Sequence, residues 1–417
     1  MSSHHVEPVL DALIIGGGAA GFFAAITLSV CKPGSKIAIL ERGREVLQKV
    51  RISGGGRCNV THACFEPAAL VKNYPRGGQE LRGPFHHFGP SDTVGWFQSR
   101  GVKLKTEEDG RMFPVTDNSE TIAQCLLAAA AAGGVRILTG VNALELQAPS
   151  SPGGHWRIST QGGTAFHSRV VMVATGSSPR VWEMLAHLGH RIVSPVPSLF
   201  TFNIKDSRIA GLAGISVPAA SVQVKGEKLS ASGPLLVTHW GLSGPGILKL
   251  SAWGARLLHD LQYRFDIRIN WLGQQPEAEV LSSLNELRQS LARKQVQASV
   301  PFATIPRRLW ERLTAHAGIS EGQRWADVGR EPMRRLAQEL AAGIYSVNGK
   351  STFKEEFVTA GGVALEEVDF RRFESKLFPG LFLAGEVLDI DAVTGGFNFQ
   401  AAWTGGYLAG KAMAGES

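Results

Sequence analysis

The sequence predicts an α/β chain built on a parallel sheet, with a β-rich segment and a helical segment inserted into it. Three observations predict it. The opening residues read as strand, Gly-rich turn, helix and strand; the middle turns first to alternating strands and then to polar helices; the end returns to the opening style. Composition agrees: of 417 residues, 44% are apolar, 19% are charged and 49 are Gly, a folded chain rich in turns and close backbone approaches. The length suits two or three units, each large enough to bury a core.

The elements follow in order. Residues 12–15 form a short apolar strand, 19–30 a helix and 36–40 a second buried strand, which together make a β-α-β unit. An Ala-rich helix spans 121–132 with Asn118 or Ser119 as cap, and 135–138 is the next strand. Residues 156–158 and 165–168 read as hairpin strands, and 170–174 is a separate apolar run ending in Thr175-Gly176. After Pro179 the pattern changes. Strands of alternating character at 200–204, 221–224 and 263–269 look antiparallel, and helices follow at 277–294, 306–317 and 331–342, with Pro306 suited to a first helical turn. A buried strand at 381–384, a Gly-rich turn and a helix over 398–414 close the chain, so the middle is an insertion and not a sequential second domain.

The strongest local signal is Gly16-Gly17-Gly18-Ala19-Ala20-Gly21, after a strand and opening a helix, with Glu41 ending the next strand. Gly16 allows the tight turn, Gly18 lets a pyrophosphate approach the backbone, and Gly21 permits close packing of helix on strand. The helix N-terminus offers N–H groups and a positive dipole end to phosphates. Glu41 can accept hydrogen bonds from ribose hydroxyls and disfavours a 2′-phosphate, so FAD or NAD is expected over NADP. The C-terminal segment selects FAD. Glu386 and Asp389 follow a late buried strand, and Gly395-Gly396-Phe397-Asn398 opens the last helix, where a carboxylate can hold ribityl hydroxyls and a helix N-terminus can favour negative charge on a flavin edge. With Ala174-Thr175-Gly176, this order resembles the glutathione-reductase-like class of FAD proteins, a split Rossmann domain.

Longer motifs narrow the resemblance. Ile52-Ser53-Gly54-Gly55-Gly56-Arg57-Cys58-Asn59, Thr238-His239-Trp240-Gly241-Leu242-Ser243-Gly244-Pro245, Thr359-Ala360-Gly361-Gly362-Val363 and Ala384-Gly385-Glu386-Val387-Leu388-Asp389 resemble the HI0933-like flavoproteins from about residue 11 to 410. Trp240 stands where Tyr is more usual, and Thr359-Ala360-Gly361 replaces a Thr-Gly-Gly start. The resemblance implies three parts: a discontinuous FAD-binding domain at 1–190 and 343–417, an inserted β-rich domain at 191–275 and a helical subdomain at 276–342. It also implies Gly16, Gly18, Ala20 and Gly21 at the pyrophosphate, Glu41 and Arg42 at the adenosine, and Val141 at adenine through its backbone. Arg57, Cys58 and Asn59 would lie over the flavin, with Gly385, Glu386, Asp389, Gly396 and Asn398 at its ribityl and ring ends.

Catalytic residues are not legible; Cys58 and His239 are the candidates. Arg57 beside Cys58 would favour a thiolate, and His239, like His86 and His87, can carry a proton in a flavin half-reaction. Cys58, His62 and Cys64 match no usual zinc spacing, so no metal is expected. Four cysteines without a C-x-x-C pair fit a reducing, cytoplasmic compartment. The uncharged run from Ala12 to Cys31 has 20 residues, but glycines interrupt it and no basic n-region precedes it, so neither a membrane span nor a signal peptide is expected. A net charge of +7 without a block of like charges gives no expectation of nucleic acid as partner, and the Arg-rich stretch 324–335 reads as a solvated helical face. The primary functional reading is an FAD-dependent oxidoreductase with a small-molecule substrate, reducing a conjugated C=C with NAD(P)H or oxidising an amine. Without a second dinucleotide fingerprint between 150 and 380, a nicotinamide would enter the substrate site directly. A non-catalytic flavin redox sensor or electron carrier and a flavin-dependent RNA modification enzyme are the alternatives.

Overall fold

The computed structural model describes residues 9–151, 153–351 and 358–416, and the chain divides into two units, 1–196 with 358–417, and 197–357. In the first unit β1 (Leu10–Ile15), α1 (Ala19–Cys31) and β2 (Ile37–Glu41) form the opening β-α-β. The sheet places β1 centrally, with β2 and then Arg136–Thr139 on one side, and Ala165–Val173 and then Leu381–Leu383 on the other, all five parallel. Chain from both ends of the sequence therefore builds one Rossmann-type sheet. The run from Ala12 to Cys31 is resolved into a buried strand, a turn and a buried helix, and among the described residues no helix is long and apolar enough to cross a membrane.

One strand differs from expectation. Residues 165–168 and 170–174 are not separate elements; Ala165–Val173 is continuous. Its first half pairs antiparallel with Trp156–Thr160 and its second half parallel with β1, the handover falling at Ser168, which pairs with both Trp156 and Leu10. Nothing in Ser168-Arg169 breaks an extended chain, so the change of partner needs no turn.

The closing helix Phe397–Ala414 packs along α1. Glycine makes this approach possible: a Cβ on Gly406 would lie 2.5 Å from the Ala20 carbonyl oxygen, and one on Gly410 2.7 Å from that of Ala24. The same helix is fixed by a buried polar network. Thr61 and Thr93 hydroxyls donate to Gln400 Oε1 at 2.6 and 3.0 Å, Gln400 Nε2 donates to Thr404 Oγ1 at 3.1 Å, and Trp403 Nε1 donates to the Val60 carbonyl at 2.9 Å. Each polar group is thereby satisfied within the core.

In the second unit the strands Ser216–Val224, Ser230–Val237 and Arg264–Asn270 form an antiparallel sheet. The helices Glu277–Ser290, Arg307–His316 and Arg330–Ala342 do not form a separate body: Leu309, Trp310, Leu313, Leu336 and Leu340 share one apolar core with Val222, Ile267 and Ile269. Gly343–Asn348 pairs with Arg264–Asn270, and Lys350–Ser351 with Thr201–Asn203, so the insertion continues past 342. Alternation at Ile344 to Val347 suits an edge of this sheet as well as it suits the first unit's, which is why sequence placed the border early. Arg208 locks the unit, paired with Asp206 at 2.6 Å and Glu339 at 2.6 Å and stacked 3.7 Å from the Tyr345 ring centre.

Candidate functional site

The turn between β1 and α1 separates two uses of glycine. Gly16 has φ +114°, and a Cβ on it would lie 2.4 Å from the Ala174 carbonyl oxygen; one on Gly21 would lie 2.1 Å from the Gly16 oxygen. Those two positions are closed by the protein itself. A Cβ on Gly18 would meet only the Ala174 oxygen, at 3.9 Å, and one on Gly176 only the ends of Glu386 and Lys49, at 3.9 Å each. Packing does not require glycine at 18, whose φ of −96° any residue can adopt, whereas a ligand lying against the backbone does; Gly176 is left-handed at φ +66°, which favours glycine by itself. Gly18 begins α1 without a side-chain cap, which leaves the first-turn N–H groups and the positive end of the helix for an anion. This open cradle fits the pyrophosphate of FAD.

Glu41 borders it. Its Oε2 accepts the Gly17 N–H at 2.9 Å and its Oε1 the Gly43 N–H at 2.7 Å. The carboxylate is thus aimed by backbone on both sides, and each oxygen retains a lone pair for a ribose hydroxyl. Val141 donates its N–H to the Glu41 carbonyl at 2.9 Å, so its own carbonyl is the group left to face a base. Arg42 is exposed.

The loop of residues 53–59 leaves α2 (Gln48–Gly56) through left-handed Gly54, Gly55 and Gly56, and Cys58 is left-handed too at φ +62°. Arg57 is held away from Cys58: its Nη1 donates to Glu107 at 2.6 Å, its guanidinium lies 4.0 Å from the Phe113 ring centre, and the hydrogen bond to Glu107 raises its pKa. Cys58 is fully buried, and burial pushes its thiol up to about 12. The thiolate expected from the neighbouring cation is therefore the wrong protonation state; desolvation outweighs an arginine that is already paired. Asn59, with its amide nitrogen toward the Thr61 carbonyl at 3.1 Å and its oxygen toward the Gly396 N–H at 3.0 Å, ties this loop to the start of the closing helix.

That start is tightly built. A Cβ on Gly396 would lie 2.6 Å from the Thr61 carbonyl oxygen, and Tyr74 Oη donates to the Phe397 carbonyl at 2.6 Å. Asn398 clasps the preceding loop, accepting the Ala392 N–H at 2.9 Å and donating to the Ala392 carbonyl at 3.3 Å; its side chain positions the helix entry. Gly385 lies against Ala20, with 3.6 Å between a Cβ there and the Ala20 Cβ. Glu386 is paired with Lys49 at 2.5 Å, and Asp389 is nearly buried, its N–H bonded to the Val363 carbonyl at 3.1 Å. The first unit thus holds the glycine turn after β1, Glu41, the loop of residues 53–59, residues 385–389 and the start of the closing helix. His239 belongs to the second unit, exposed on the turn between Ser230–Val237 and Gly241–Ser243.

Sequence reasoning missed Lys49, Gln400 and the buried pair of Arg76 with Asp391, in which Nε and Nη2 of the arginine meet both carboxylate oxygens. Gln400 carried a readable signal, an amide inside an apolar helical run, past its first turn's Asn398; Arg76 and Asp391, 315 residues apart, carried none.

Residues 10–412 match the family model described as HI0933-like protein Rossmann domain. The chain is 26% identical over 407 residues, 95% of its length and 96% of the relative's, to a ribosomal RNA dihydrouridine synthase of Haemophilus influenzae. It is 27% identical over 414 residues, 96% and 98% of the two lengths, to a 3-dehydro-bile acid delta(4,6)-reductase of Clostridium scindens. Among solved structures it is similar in fold to a 3-ketosteroid-delta4-(5alpha)-dehydrogenase of Rhodococcus jostii in complex with 4-androstene-3,17-dione, at a TM-score of 0.53 and 13% identity over 99% and 98% of the chains. An open-form flavocytochrome c3 fumarate reductase aligns with a TM-score of 0.50 and 14% identity, over 99% of this chain and 79% of that one.

Proposed function

The chain belongs to the HI0933-like family, and from that premise we propose that this FAD-dependent oxidoreductase reduces a C=C bond conjugated with a carbonyl, with NAD(P)H as the electron donor. The observation that carries the reading is the cradle, closed by protein at Gly16 and Gly21 and open at Gly18 and Gly176. Two relatives support the reaction class: a dihydrouridine synthase and a delta(4,6)-reductase of a 3-dehydro-bile acid both add two hydrogens across a C=C next to a carbonyl. FAD supplies hydride transfer when bound.

The residues around it set position and charge. Glu41 and the start of α1 would hold the adenosine and pyrophosphate; Glu386 and Asp389 would hold ribityl hydroxyls; the positive end of the closing helix, fixed by Asn59 and Tyr74, would favour negative charge on the reduced flavin. The reduction balances as one hydride, taken from NAD(P)H, delivered to the β-carbon, and one proton from solvent delivered to the α-carbon. The test is anaerobic. NADH or NADPH should bleach the flavin bands, and 4-androstene-3,17-dione or another conjugated enone should restore them while gaining two hydrogens by mass. Flavin that no pyridine nucleotide bleaches, but that an amine substrate does, would move the protein to the oxidase class.

A further inference from the structure

We propose that the cleft beside the helix Arg307–His316 in the second unit binds the phosphate backbone of RNA. Residues 288–335 contain ten Lys or Arg against four Asp or Glu, so this short span accounts for six of the chain's seven net positive charges. Three of those arginines line a concavity, with two of the four carboxylates. A cleft of about 710 Å³ has Arg307, Arg308, Glu311 and Arg312 of the helix as one wall, and Gln295, Gln297 and the turn of residues 318–322, with Glu321, complete its lining.

The helix is folded to present that wall. Leu309, Trp310, Leu313 and Thr314 are buried, which turns 307, 308, 311 and 312 outward. Arg307 is paired with Glu311 at 2.9 Å, and Arg308 donates to the Gly211 carbonyl at 2.7 Å, so both are held in place. Arg312 is exposed and has no partner among the described residues. Arg308 and Arg312 are one helical turn apart, about 5–6 Å between Cβ atoms, a separation that suits neighbouring phosphates of one strand. Arg324 is exposed and its backbone bridges that of Gln295, and Arg335, which also meets Glu331 at 3.9 Å, approaches the Gly318 turn, so both arginines stand beside the cleft's lining.

The chemistry separates RNA from other anions. Among the described residues, none of the large apolar side chains that stand out to solvent lies between 288 and 335, so an anionic membrane finds nothing to insert. No aromatic residue lines the cleft, so a free nucleotide finds no stacking platform and the protein touches backbone, not bases. Gln297 commits its amide nitrogen to the Ile319 carbonyl at 3.3 Å, leaving its oxygen as an acceptor for a 2′-hydroxyl, the group that marks RNA. The proposal rests on the reductase reading only in what the RNA is for, namely to carry the reducible base.

The test uses the full chain with its flavin, a fluorescein-labelled RNA hairpin and the DNA hairpin of the same sequence, followed by anisotropy from about 50 to about 200 mM salt. The wild type should bind RNA more tightly than DNA, and more weakly as salt rises. Arg312→Glu with Arg324→Glu should weaken binding at least tenfold and flatten the log–log salt slope by roughly two, close to one for each phosphate left without its arginine. Lys225→Glu with Lys228→Glu, an equal charge change on a hairpin tip outside the cleft, should stay within about threefold. Undetectable RNA binding by the wild type, equal binding of DNA, or equal losses in both variants would overturn the proposal. Flavin bleaching by NAD(P)H is measured on the same samples, so a failed reductase reading is told apart from a failed RNA site.

Discussion

At residue scale, Cys58 shows how environment reverses a reading made from neighbours. Beside Arg57 in sequence it looks like an activated thiol; in the fold the guanidinium turns to Glu107 and Phe113, and the thiol is sealed in the core. The pH consequence follows from the direction of the shift. The unfolded thiol ionises near 9.0 and the folded one near about 12, so above 9 the unfolded state releases a proton that the folded state keeps. Stability from this group is intact below pH 9 and falls by about 1.4 kcal/mol per pH unit from there toward 12. Chemical denaturation across that range should show a slope shallower by about that amount in Cys58→Ala than in the wild type, the buried Tyr74 and Tyr345 contributing equally to both, and a thiol reagent should reach Cys58 only on unfolding. The packing glycines were more legible, because spacing alone assigns Gly16 to the turn and Gly21 to close packing, and a Cβ on either would strike backbone.

At the scale of elements, the closing helix is where sequence and fold part company. Its existence and Gly-rich start were readable from composition. Its anchoring was not, because Asn59, Thr61, Tyr74 and Thr93 come from segments more than 300 residues earlier and no local pattern links them. The same is true of Arg76 and Asp391. Asp391 is fully buried, so Arg76→Met would strand a carboxylate in the core, at a cost of about 3–5 kcal/mol. Urea unfolding should register that loss, and the variant should release flavin at lower urea than the wild type, since Asp391 lies between Asp389 and the helix start. An unchanged midpoint would mean that the pair is dispensable to the loop. The strand Ala165–Val173 teaches the complementary lesson: periodicity found both halves, but a strand that changes partners at Ser168 leaves no mark in its own residues.

At the scale of the whole molecule, an insertion was legible because the two ends of the sequence share one style, and both contribute strands to one sheet. Where the insertion ends was not, since Gly343–Asn348 has an alternation that either unit's sheet could accept and tertiary pairing decides. The account of function depends on one property of that sheet, that the turn after β1 is a cradle for FAD. The direct measurement is the flavin content of the purified full-length protein by visible absorbance, compared with Gly18→Val at matched concentration and with added FAD. Flavin bands at one equivalent in the wild type, lost in a Gly18→Val variant that melts within a few degrees of it, are the predicted result: the side chain then occupies ligand space and not packing space. A colourless wild type that takes up no added FAD, or a Gly18→Val variant with full flavin, would contradict it.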